Sequence, residues 1–290
     1  MFNGALTALV TPFRDGALDV VALRDLIEWQ IQSGIDGLVP CGSTGESATL
    51  SHAEHDSVIK ITIEQTRKRV PVVAGTGSNS TAEAIRLTAA AREMGADAAL
   101  LISPYYNRPT QDGIFRHYKT IAASVDLPLL VYNIPVRTGS NIAPETFARL
   151  AEIKNIVGVK EASASMDQSS DILQLCGEAI TILSGDDALT LPLMSLGAKG
   201  VISTISNIMP REMHELAAAG LAKDFARARE IHFRMLPVMR ALFIETNPIP
   251  VKQALAFMGK CANELRMPLV TMTAGPAEKL RVTMKELRII

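Results

Sequence analysis

Short apolar segments recur through the first 221 residues of this 290-residue chain and alternate with stretches of helical period. They begin near Gly4, Gly37, Pro71, Ala98, Pro128, Ile156, Ile180 and Gly200. One of them, Ile156-Val157-Gly158-Val159, carries no polar face at all, as expected of a strand covered on both sides. Parallel strands with crossover helices provide that cover. Eight such units in roughly 210 residues predict an α/β fold, a (β/α)8 TIM barrel. A doubly wound sheet usually has fewer strands and a single switch crevice.

Helix starts support this spacing. Ser51 with Glu54 and Ser80 with Glu83 form the S-x-x-E capping box, and Pro144 and Pro210 suit a first helical turn. From residue 222 the pattern becomes helical without strands, over 225–243, 250–258 and 277–287. Prolines in Thr246-Asn247-Pro248-Ile249-Pro250 and Met267-Pro268 punctuate it. The expected division is a barrel over 1–221 and a C-terminal α-helical domain over 222–290. No low-complexity linker separates them, so the helices should pack against the barrel.

Composition narrows the function classes. A hydrophobic content of 48% suffices for a full core, and a net charge of −1 with interspersed signs offers no stripe for nucleic acid or an anionic membrane. Cys41, Cys176 and Cys261 are odd in number and lack any CxxC, which argues against a disulfide framework or structural zinc and for a reducing cytoplasm. No basic region precedes the first apolar stretch, and no apolar run reaches membrane-spanning length.

Against this background Lys160 is an anomaly, because it ends an apolar strand. A charged ammonium in such a core costs several kcal/mol unless it is paired or its pKa falls. At the ordinary value only roughly one lysine in a thousand is uncharged near pH 7.5; a fall of about three pH units would make it a nucleophile for Schiff-base chemistry. Snorkelling out at the strand end, or an ion pair with Glu161, are the structural alternatives.

Barrel active sites lie at the C-terminal ends of the strands. Strand two delivers Gly42-Ser43-Thr44-Gly45-Glu46-Ser47 there, strand four Pro104-Tyr105-Tyr106-Asn107, strand five Tyr132-Asn133-Ile134-Pro135 followed by Arg137, and strand six Lys160. Glycines and two hydroxyls suit a small carboxylate, though a plain turn has the same look. Tyr132 could move protons if Ser43 and Tyr106 complete a hydroxyl chain, with packing as the plainer role. Arg137 carries a fork suited to a second carboxylate, or is simply solvated. Strand seven ends in Ser184-Gly185-Asp186-Asp187, whose acids would repel a phosphate. The pair lacks the further ligands a metal would need, and Asp186 is expected to cap the next helix. Gly75-Thr76-Gly77-Ser78-Asn79-Ser80 lacks the third glycine of a dinucleotide loop, and His52-Ala53-Glu54-His55 is not a zinc motif.

These residues together resemble the dihydrodipicolinate synthase and N-acetylneuraminate lyase family of class I aldolases, across essentially the whole chain. Gly42-Ser43-Thr44-Gly45-Glu46 is similar to its Gly-Thr-Thr-Gly-Glu loop, Tyr132-Asn133-Ile134-Pro135 to its Tyr-Asn-x-Pro strand end and Gly158-Val159-Lys160-Glu161 to its Schiff-base segment. Tyr105-Tyr106-Asn107-Arg108-Pro109, Arg137-Thr138-Gly139 and Asn247-Pro248-Ile249-Pro250-Val251-Lys252 narrow it to the synthase branch. The resemblance implies that Lys160 forms an imine with pyruvate, with no other cofactor, while Tyr132, Ser43 and Tyr106 relay protons. Thr44, Gly185 and Ile202 would contact pyruvate, and Arg137 would hold the carboxylate of L-aspartate 4-semialdehyde, giving 4-hydroxy-tetrahydrodipicolinate for the lysine pathway. Tyr106 would reach into a partner's site, implying a dimer paired into a homotetramer. Ser47, Ala48, His52, His55, Asn79, Glu83 and Tyr105 match positions that bind L-lysine in feedback-inhibited members. Ser43 departs from the family's threonine, keeping the hydroxyl and losing the methyl that restricts it. The competing functions are a sibling aldolase acting on a sugar acid or hydroxy-oxo acid, a silent keto-acid-sensing barrel, and a metal-dependent aldolase.

Overall fold

A computed structural model describes residues 2–290. Its barrel strands are Gly4–Ala8, Gly37–Val39, Val73–Gly75, Ala98–Ile102, Leu129–Asn133, Ile156–Glu161, Thr181–Ser184 and Gly200–Ser203, strands one to eight below. Strand eight returns to pair in parallel with strand one. The ring closes between strands two and three through the Leu38–Val72 bridge. Leu38 N donates to Pro71 O at 3.0 Å and Gly75 N to Pro40 O at 2.9 Å across the same seam. The eight-unit alternation is therefore realised as a barrel.

Side-chain alternation then sorts the strands into two cores. Leu6, Val39, Val73, Ala98, Leu100, Leu130, Tyr132, Leu183 and Ile202 fill the interior. Val131, Val159, Ile182 and Val201 face the helices. The register Tyr132↔Lys160↔Leu183 places the lysine in the inward row.

Ser51 caps helix His52–Thr66 with a complete capping box. Ser80 caps Thr81–Met94 through Glu83 N, but here the box is only half formed. Ser80 N bonds Ser78 Oγ at 3.0 Å, while the Glu83 carboxylate is taken by Ser78 and His52. Pro144 and Pro210 open helices Pro144–Ala151 and Pro210–Leu221. One element escaped the sequence pattern. A hairpin with two-residue arms, Phe13–Arg14 and Ala17–Leu18, follows strand one, and its Asp15 and Gly16 amides donate to Glu264.

The last helices are Phe225–Ala241, Ile249–Phe257 and Ala274–Glu286. Ile231, Met235, Val238, Val251, Leu255, Leu280 and Met284 belong to the same apolar cluster as the outer faces of the strands. The chain crosses cis peptides at Asn247-Pro248 and Met267-Pro268, and Asn247 lines the mouth of the barrel. All three cysteines are free and buried. Among the described residues no helix is long and apolar enough to cross a membrane.

Candidate active site

The strand ends meet beneath a cavity of about 540 Å³ lined in part by Gly42, Ser43, Tyr132, Arg137 and Asn247. Lys160 is buried, with Nζ 4.2 Å from the centroid of the Tyr132 ring. Its sequence neighbour Glu161 points to the opposite face, where it accepts from Ser163 N at 2.7 Å and Asn133 Nδ2 at 3.0 Å. The ion-pair alternative therefore fails, and so does snorkelling. Desolvation pulls the Lys160 amine down to about 8; Asp187 opposes this and Arg137 adds to it. At that value about a quarter of the amines are neutral near pH 7.5.

Tyr132 is the lysine's cross-strand neighbour. Burial pushes its phenol up to about 12, against the pull of Arg137 and the nearby Ser43 hydroxyl. It thus keeps its proton until a stronger base arrives, as a relay donor must. Thr44 is buried behind Ser43, and its Oγ1 accepts from Asn247 Nδ2 at 2.9 Å. Arg137 Nη2 donates to Asn247 O at 3.0 Å. One residue of the C-terminal segment therefore orients both the hydroxyl loop and the guanidinium. Sequence reasoning used Asn247 only as part of a resemblance, because no local pattern predicts a bond across 203 positions.

Gly185 is explained by close approach: a Cβ there would lie 2.6 Å from Ala162 Cβ and 3.1 Å from Lys160 Cε. Ile202 is buried in the barrel interior. The two acids of strand seven separate. Asp186 Oδ1 accepts from Ala188 N at 2.8 Å and Leu189 N at 3.3 Å, ordering the turn before helix Thr190–Ser195, whose N-cap position is Leu189. Asp187 turns inward, and its Oδ2 accepts from Thr204 N at 3.1 Å and Ile205 N at 2.9 Å.

Lys160, Thr44, Gly185 and Ile202 are not part of the cavity lining, and Tyr106 is the expected relay residue that is turned to solvent altogether. It is 89% exposed, whereas Tyr105 lines the cavity wall. Its backbone is in the left-handed region, φ 69°, a conformation costly for an aromatic residue. Tyr106 N donates to Thr138 O at 3.3 Å, Asn79 Nδ2 to Tyr105 O at 3.1 Å and Asn107 Nδ2 to Asn79 O at 2.9 Å, so the turn is held by its surroundings.

Ser47, Ala48, His52, His55, Glu83 and Tyr105 line the outer part of the same cavity, and Asn79 supports it through Tyr105. Ser78 and His52 hold the Glu83 carboxyl below the usual range, so it stays anionic. Burial pulls His55 down, and its Nε2 lies 2.9 Å from Gly75 O.

A barrel mouth that joins a partly neutral lysine to a protonated tyrosine, hydroxyls and a guanidinium defines an imine-forming enzyme of the class I aldolase type. The chain belongs to the dihydrodipicolinate synthetase family, whose model matches residues 1–287. It is 59% identical to a 4-hydroxy-tetrahydrodipicolinate synthase of Syntrophus aciditrophicus, over the full length of both chains. The crystal structure of the chloride-inhibited dihydrodipicolinate synthase of Acinetobacter baumannii with pyruvate superposes with a TM-score of 0.99 at 45% identity, covering all of both chains. That of the Cyanidioschyzon merolae enzyme with lysine bound gives 0.97 at 39%, covering 100% and 99%.

Proposed function

We propose that this chain condenses pyruvate with L-aspartate 4-semialdehyde to give 4-hydroxy-tetrahydrodipicolinate in the diaminopimelate route to lysine. The observation that carries the reading is Lys160, an unpaired buried amine at the end of strand six, in a chain that matches the synthases end to end. The neutral Lys160 amine adds to the pyruvate carbonyl, whose oxygen leaves as water as Tyr132 and Ser43 pass protons. Loss of a methyl proton gives the enamine, which attacks the aldehyde held by Arg137. The substrate's amine then displaces Lys160 and closes the ring. Thr44, Gly185 and Ile202 shape the pyruvate end. The imine is the only covalent aid required, and neither a metal nor an organic cofactor takes part.

Arg137 decides between this substrate and the hydroxylated acids of sibling aldolases, since its fork matches a short acceptor carrying a carboxylate. Arg137→Ala should still form the pyruvate imine and lose at least tenfold in kcat/KM for the semialdehyde. Normal turnover by that variant would remove the substrate assignment.

A held, exposed Tyr106 further supports a homo-oligomer, a dimer paired into a tetramer, in which this side chain completes the partner's relay. Mixing Lys160→Ala with Tyr106→Phe protomers should then restore activity that neither has alone. The Glu83 cluster supports inhibition by L-lysine, its carboxylate taking the ammonium. Initial rates that stay flat to millimolar lysine would exclude this. Free buried thiols fit work in the cytoplasm.

A further inference from the structure

We infer that Asp187 is the counter-charge of the Lys160 imine, a role resting on the imine chemistry proposed above. Imine formation from the neutral amine consumes one proton: the amine, the ketone and a proton give the iminium and water. The nitrogen therefore turns from neutral to positive; pyruvate brings its own carboxylate with it, and a fixed protein carboxylate nearby further favours the iminium over the neutral amine. Among the described residues Asp187 is the carboxylate placed to do so. It is 3% exposed and fixed by the Thr204 and Ile205 amides, so it cannot swing away. Its other oxygen, Oδ1, is buried and makes no hydrogen bond of ordinary geometry, the Ser203 hydroxyl being the one side-chain donor that acts on the carboxylate. The turn that carries it runs close to the lysine, since a Cβ at Gly185 would lie 3.1 Å from Lys160 Cε. Glu161 is excluded by facing outward with its own donors.

Other groups act on the pair from each side. Arg137, after strand five, opposes a charge on Lys160; burial pushes the Asp187 carboxyl up to about 6, with the Ser203 hydroxyl of strand eight holding it down and Asp186 adding to the rise. Tyr132 covers the lysine as a neutral phenol. Asp187 favours the charge on the lysine, against burial and Arg137.

A signature follows that a folding defect would not give. In acid both the ammonium and the iminium carry one charge, so the carboxylate favours neither. In alkali the amine is neutral, and Asp187 favours the imine. Asp187→Asn, which can still accept the two amides, should bind pyruvate about tenfold more weakly near pH 9 and within about twofold near pH 6.5. The midpoint of the acid limb for pyruvate capture should fall by about one pH unit. Borohydride trapping across pH, read by intact mass on the full-length enzyme with unchanged circular dichroism, measures both, and Asp187→Ser supplies a second uncharged variant. Superimposable profiles, or weakening equal at all pH values, would overturn the inference. Failure of the unsubstituted enzyme to trap pyruvate would instead overturn the imine chemistry itself.

Discussion

Two lysines are buried in this chain, and only one is built to react. Lys160 and Lys252 each lie over an aromatic ring, at 4.2 Å from Tyr132 and 4.1 Å from Phe13. Lys252 is fully buried, but its ammonium contacts the Glu46 carboxylate and donates to Glu264 O at 2.8 Å. Glu46 in turn accepts from Arg266 N at 3.0 Å. Desolvation pulls Lys252 down, and Glu46 and Glu264 push back. Lys160 lacks such a contact partner, its opposing carboxylate acting from a distance. Burial alone therefore does not make a nucleophile. Burial without a contact carboxylate does.

The contrast predicts opposite failures. Lys160→Ala should lower kcat by about 1,000-fold or more, because no other group can form the imine, while Lys160→Met should leave thermal stability equal or higher. Lys252→Met should do the reverse: it strands Glu46 and is expected to cost about 3–5 kcal/mol in denaturant unfolding. The double change Glu46→Gln with Lys252→Met should regain part of that loss. If both lysines behaved alike in either assay, the distinction between them would fail.

Protonation sharpens the same comparison. Capture of pyruvate needs the neutral amine, so its rate should fall tenfold per pH unit below about 8, read from borohydride quench kinetics. Stability moves with the same group. Between about 8 and 10.5 the unfolded chain holds a proton that folded Lys160 has lost, so stability rises with pH across that window. The gain is up to about 3 kcal/mol, and Lys160→Met should not show it. The smallest effect belongs to Ser43. Restoring the family methyl with Ser43→Thr should change kcat by no more than about threefold, whereas Ser43→Ala should cost about tenfold or more.

Much of this was legible because it is local. Strand starts, the Ser51 cap and the position of Lys160 at the end of an apolar run follow from period and spacing. Period two also decides the Glu161 question, since adjacent strand residues cannot share a face. What stayed hidden depends on distant partners. Glu46 meets Lys252, and Asn247 meets Thr44, across most of the chain. Glu83 looked like a helix cap until His52 and Ser78 competed for its carboxylate. The hairpin at Asp15-Gly16 is too short for any periodicity to show. Asp186 and Asp187 read as one acidic pair, and only the amides of Thr204 and Ile205 turn the second inward.

The most direct test is to reduce the enzyme with borohydride in the presence of pyruvate and map the adduct by mass spectrometry of the digested protein. The predicted result is one pyruvyl-derived adduct per chain, on Lys160, with Lys252 unmodified. An adduct on any other lysine, or none under conditions of full turnover, would contradict the claim that the unpaired amine is the one that reacts.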